Sequence, residues 1–231
     1  MDIVILTNFR CGSHLLMQLI AENGFTANDE VLAHCRKEIR EESAQKIIEV
    51  KLDILTKTEL IKQSIKENLV SYLPSKLGNS VNIIHRMQYN DVDVPLAELF
   101  PDAKFIRLTR NPIDAAISLY FARTSNQFFS FAKAPIFKFH QVPYDFKQIK
   151  KKYDRYLYAW NWEDSILPQI TATVDYDELV ANPKAVMNKL GKKLTGKPFK
   201  VFTQSKYEKQ EDPLKAEFKQ QFINDMEVKN D

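Results

Sequence analysis

Apolar residues along this chain fall into short unbroken runs, separated by longer stretches with helical spacing. Ile3 to Leu6 is the first such run and reads as a buried strand. A polar turn follows, Thr7 to Ser13, and Leu15, Leu16, Leu19 and Ile20 then recur with the period of a helix that Glu22-Asn23-Gly24 closes. Phe25 to Leu32 reads as a connector. Residues 36 to 74 are rich in Lys, Glu, Ile and Leu, without Gly or Pro before Pro74. Two helices are expected there, the second opened by the capping box Thr56-x-x-Glu59. Val81 to Ile84 is a second strand ending at His85-Arg86, Pro95 to Phe100 a short helix, and Phe105 to Thr109 a third strand. Asn111 and Pro112 suit the N-cap and first position of a helix whose apolar face is Ile113, Ala116, Ile117, Tyr120 and Phe121.

Residues 128 to 146 are dense in phenylalanine and have no clean period. Such a segment suits either a ligand-binding loop or a loop pinned to the core by its rings. A helix follows from about Asp145 to Ile166, then a fourth strand, Ile170 to Val174, ending at Asp175-Tyr176. Asn182-Pro183 and Asp212-Pro213 open two more helices. Strands alternating with helices predict an α/β fold: one domain over residues 1–231, with a central parallel sheet flanked by helices.

Composition narrows the function. The 231 residues carry 33 basic and 30 acidic side chains, a net charge of +3. That is too small an excess for a nucleic-acid partner, and a local anion site fits it better. Two cysteines, Cys11 and Cys35, make no disulfide framework and point to a reducing, cytoplasmic setting. No apolar run approaches the length of a membrane span. Oligomeric state leaves no mark on the sequence.

In open parallel sheets, ligands bind beyond the carboxyl ends of the strands. The first strand is followed by Arg10, Cys11, Gly12 and Ser13, the second by His85 and Arg86, the third by Arg110 and Ser118, and the fourth by Tyr176. Strand, glycine-bearing turn and helix together can cradle an anion, with Arg10 adding a cation. Alone, the stretch also fits an ordinary strand-to-helix turn. Cys11 lies in that turn, whose environment could lower its thiol pKa; with no other nucleophile machinery nearby, the plainer reading is a small turn residue. The collected set is cationic, hydroxylic and aromatic, with no carboxylate cluster for a metal. It suits a multiply phosphorylated nucleotide bound without Mg²⁺. A kinase of small metabolites is the poorer reading, because the turn lacks G-x-x-x-x-G-K-[ST].

These residues resemble sulfotransferases that use 3′-phosphoadenosine 5′-phosphosulfate (PAPS). Asn8-Phe9-Arg10-Cys11-Gly12-Ser13-His14 is similar to the family's 5′-phosphosulfate loop, with Arg in place of the more usual Lys, as in a bacterial branch that includes carbohydrate sulfotransferases. FIRLTRNPIDAAISLYFA matches the 3′-phosphate motif, placing Arg110 and Ser118 in register, and VDYDELVANP resembles the strand end whose Tyr, here Tyr176, lies beside the adenine. The resemblance implies a P-loop-like fold and transfer of a sulfuryl group from PAPS to a hydroxyl or amine of a small-molecule or carbohydrate acceptor. The bisphosphate product (PAP) is released and no metal is needed. A nucleotide-binding protein that has lost transfer is the alternative.

The resemblance also implies a general base. His85, in IIHRM, is similar in placement to the family's histidine, and an imidazole titrates in the range such a base needs. Glu30 is its rival, by likeness to the bacterial branch. His14 is either a phosphate contact or a solvated first-turn residue. The family's C-terminal Arg-Lys-Gly clamp is missing, and Lys206 and Lys209 are its available substitutes. Residues 36–74 and 128–146 are expected on the acceptor side.

Overall fold

The computed structural model describes residues 1–28, 41, 68, 78–85, 95–125, 142–163, 169–201 and 213–228. The expected helices of 36–74, most of the aromatic segment 128–146, and Glu30, Arg86, Lys206 and Lys209 lie outside the described residues.

Among the described residues, five strands form one parallel sheet in the order β2-β3-β1-β4-β5. They are β1 (Ile3–Thr7), β2 (Thr26–Asn28), β3 (Ser80–His85), β4 (Lys104–Thr109) and β5 (Ile170–Asp175). β1 is central, with Ile3 opposite Val81 on one side and Lys104 on the other. Every residue of β1 and β3 is buried. Strands covered on both faces read as continuous apolar runs, which is why these two were visible in the sequence.

β2 is different, and it corrects the expected connector. Its three residues, Thr-Ala-Asn, are largely exposed and carry no apolar signal. Pairing with β3 holds it at the sheet edge, and Asn28 Nδ2 donates to Asn82 Oδ1 at 3.2 Å.

The described helices are α1 (Ser13–Ala21), α2 (Leu96–Leu99), α3 (Pro112–Thr124), α4 (Phe146–Glu163), α5 (Tyr176–Ala181), α6 (Pro183–Thr195) and α7 (Pro213–Val228). Ile3, Ile5, Ile83, Ile106 and Leu108 pack with Leu16 and Ile20 of α1 and Met187 and Leu190 of α6 in one core cluster. A second cluster joins Ile117, Tyr120 and Phe121 of α3 to Ile149 of α4 and to Phe218 and Phe222 of α7. Lys219 of α7 also pairs with Asp114 of α3 at 2.9 Å. None of the described helices is long and apolar enough to cross a membrane.

At the amino-terminal edge of the sheet, the Asp2 carboxylate accepts from the backbone N–H of Gly78 and of Ser80, both at 3.0 Å, and from the Ser80 hydroxyl at 2.7 Å. Burial alone would raise its pKa, but these bonds hold it below the usual carboxylate value.

Candidate active site

The turn between β1 and α1 carries two residues with positive φ, Arg10 at 67° and Gly12 at 81°. For Gly12 the reason is doubly physical. The left-handed conformation favours glycine, and a Cβ there would overlap the ring of Tyr176. Backbone and ring therefore close on each other only because position 12 has no side chain.

Gly12 is also the N-cap of α1, so no side chain caps that helix, and no acid lies in its first turn. The helices that follow β4 and β5 are treated otherwise. Asn111 Oδ1 accepts from the N–H groups of Ile113 and Asp114, and Asp175 Oδ1 from those of Asp177 and Glu178. Among these three strand-to-helix junctions, only the first leaves its helix start without a side-chain cap.

Side chains from β4, α3 and α5 converge on this turn. Arg10 Nε donates to Ser118 Oγ at 3.2 Å. Arg110 donates from a terminal nitrogen to the Arg10 carbonyl at 2.6 Å, and its guanidinium lies 4.5 Å from the centre of the Tyr176 ring. The structure thus brings together Arg10, Gly12, Arg110, Ser118 and Tyr176. Burial, and then the nearby charge of Arg110, push the Arg10 guanidinium down to about 10. It remains a cation at neutral pH, but a crowded one, and a bound anion would relieve both effects.

At Cys11 the turn does not lower the thiol pKa. The residue is fully buried, and burial pushes the thiol up. Its Sγ lies 3.4 Å from the Tyr156 hydroxyl, which donates onward to the Arg110 carbonyl at 3.1 Å. Tyr156 therefore fastens α4 to both halves of the site. Sequence reasoning missed it, because in KKKYDRYLYAW it resembles any other aromatic of an amphipathic helix. Ser13 is buried at the first position of α1, and His14 beside it is half-buried.

His85 ends β3 opposite Thr7 of β1. It is 3% exposed, and its ring stacks on Phe9 with centroids 4.5 Å apart and planes at 24°. Phe9 immediately precedes Arg10, so an imidazole and a guanidinium flank one short turn.

A sequence model described as the sulfotransferase family matches residues 2–196. No curated protein matches the sequence. Similar solved structures include a sulfotransferase from Alicyclobacillus acidocaldarius (14% identity, 97% of this chain and 92% of that one, TM-score 0.48). They also include retinol dehydratase in complex with androsterone and inactive cofactor PAP (12% identity, 97% and 80% covered, TM-score 0.44). A shikimate kinase from Bacteroides thetaiotaomicron is a third (13% identity, 83% and 96% covered, TM-score 0.41).

Proposed function

The chain belongs to the sulfotransferase family, and from that premise we propose that it transfers the sulfuryl group of PAPS to a hydroxyl or amine of an acceptor. The observation that carries the reading is the convergence of Arg10, Arg110, Ser118 and Tyr176 on the uncapped start of α1. Two guanidiniums, a hydroxyl and the N–H groups of a helix start without a side-chain cap suit a nucleotide with two separate phosphates, and Tyr176 offers a face for its base.

In this reading PAPS supplies the sulfuryl group and a bisphosphate leaving group. The turn from Arg10 to His14, with Cys11, Gly12 and Ser13, holds the 5′ end, and Arg10 neutralises charge as the phosphate departs. Arg110 and Ser118 hold the 3′-phosphate. His85 takes the proton of the acceptor at an imidazole nitrogen, with Phe9 fixing its ring plane. Glu30 is the alternative base. Lys206 and Lys209 are proposed to close over the nucleotide, in a cytoplasmic enzyme that works without a metal.

Titration with PAP, and separately with ATP and Mg²⁺, tests the site: PAP binding is expected, and its absence would overturn the reading. The base is tested by His85→Ala and Glu30→Ala, with PAP affinity measured beside turnover. Loss of turnover with PAP binding retained is expected for His85→Ala. Near-wild-type turnover in both variants would remove both candidates.

A further inference from the structure

Beside the turn, between α3 and α4, lies a cavity of about 170 Å³ whose charged lining is entirely basic among the described residues. Arg123 enters it from α3, and Lys151, Lys152 and Arg155 from α4. Asp154 is the one acid within that stretch of α4, and Lys150 engages it at 2.7 Å. Burial, and then the charges of Arg123 and Lys151, hold the Lys152 ammonium below its usual pKa, with Asp145 partly opposing them. Four cations without a lining carboxylate among the described residues give the cavity a positive potential that favours an anion.

Asn8 points to the same occupant independently. It is 3% exposed and lines the cavity, yet neither polar atom of its side-chain amide has a hydrogen-bond partner among the described residues. A buried amide left in that state is costly. A small turn of the amide toward the cavity would let its N–H donate to an anion there.

The location says which molecule brings the anion. Asn8 and Phe9 line the cavity and lead directly into Arg10, and Phe9 stacks on His85. The cavity therefore opens next to the residues proposed to carry transfer, and Ala115 and Leu119 give it an apolar wall for a carbon skeleton. We propose that this cavity binds a carboxylate, sulfate or phosphate group of the acceptor, so that the acceptors of this protein are anionic. The assignment rests on the PAPS-dependent reading of the neighbouring site.

The test uses the full chain saturated with PAP, so that the nucleotide's own phosphate sites are filled. Inorganic phosphate and pyrophosphate are titrated into it and into Arg123→Ala/Arg155→Ala, whose exposed side chains can be removed without opening the core. Saturable binding, at least ten-fold weaker in the double variant with PAP affinity unchanged, is expected. No saturable binding, equal binding by the variant, or loss of PAP affinity in the variant would overturn the proposal. Should PAP itself not bind, the nucleotide reading fails separately, and the same titration of nucleotide-free protein still decides whether the cavity takes anions. Transfer to paired compounds, 4-hydroxybenzoate against 4-methylphenol and gluconate against sorbitol, then reads the acceptor: preference for a neutral member would overturn the assignment.

Discussion

Arg10 and Ser118, 108 residues apart in the chain, meet through a 3.2 Å hydrogen bond from the arginine Nε to the serine hydroxyl. The first belongs to the proposed 5′ half of the nucleotide site and the second to the 3′ half. Affinity for PAP is therefore expected to be coupled between them. Arg10→Ala and Ser118→Ala should combine non-additively, with an interaction energy of at least ~0.5 kcal/mol in a double-mutant cycle read by calorimetry. Strict additivity would show the two halves to be independent.

Arg110 binds the Arg10 carbonyl and lies over Tyr176 at once. Arg110→Ala should weaken PAP binding by at least ~2 kcal/mol, through loss of a charge-assisted partner for phosphate. Arg110→Lys should recover little of it, because an ammonium has neither the planar fork nor the stacking face. An unchanged PAP affinity in Arg110→Ala would remove Arg110 from the site, and full recovery in Arg110→Lys would show that the charge alone suffices.

Arg10 combines a left-handed backbone with a guanidinium that burial and Arg110 press down to about 10. For a base, a folded pKa below the unfolded value means that charge opposes folding. That cost is complete at neutral pH and fades only as pH rises through about 10. A non-glycine residue in this backbone region costs roughly 1 kcal/mol more. Arg10→Gly is therefore expected to unfold at the same or higher denaturant concentration than wild type while losing most of its PAP affinity. Clear destabilisation would mean that the Ser118 contact outweighs the strain.

The buried thiol of Cys11 predicts slow chemistry. In a Cys35→Ser background, iodoacetamide at pH 8 should label the native protein far more slowly than the urea-unfolded chain. Cys11→Ala should retain transfer activity. Rapid labelling of the native protein, or turnover abolished in a folded Cys11→Ala, would restore a chemical role for the thiol.

Asp2 supplies a pH dependence. Its folded pKa lies below the unfolded value near ~3.9. The stability it contributes is complete above that value and disappears as pH falls through the folded one. Asp2→Ala should cost about 1 kcal/mol at pH 7, the net worth of its hydrogen bonds to Gly78 and Ser80. Denaturation curves of variant and wild type should converge only once the pH has fallen below the lowered folded pKa and this carboxylate is protonated. A difference that persists there would mean that the contribution is steric.

The sequence made the central strands legible because burial on both faces writes itself as apolar runs, unbroken in IVIL and interrupted only by the buried Asn82 in VNII. It concealed β2, where Thr26-Ala27-Asn28 owes its conformation to a neighbour rather than to its own composition. Arg10, Arg110, Ser118 and Tyr176 were readable because each sits just beyond a strand or at a fixed step into a helix. The state of the Cys11 thiol was harder to read. Its place beside a helix start could favour a thiolate, but burial in the core pushes the thiol up, and its Sγ meets the hydroxyl of Tyr156, 145 positions away. Tertiary cover of that kind leaves no local signature, and the cationic cavity between α3 and α4 is hidden likewise.

The central position of β1 has a consequence for synthesis. Ile3 pairs with Val81 on one side and Lys104 on the other, so the strand that leads into Arg10 and Gly12 leaves the ribosome about 80 to 100 residues ahead of both neighbours. At ~5–20 residues per second it waits roughly 5–20 s for the second of them. During that interval an apolar segment, IVILT, stands without the edges it is shaped to join. Slowing translation between residues 10 and 104 should lengthen this exposure and lower the soluble yield, without altering a single contact of the finished protein.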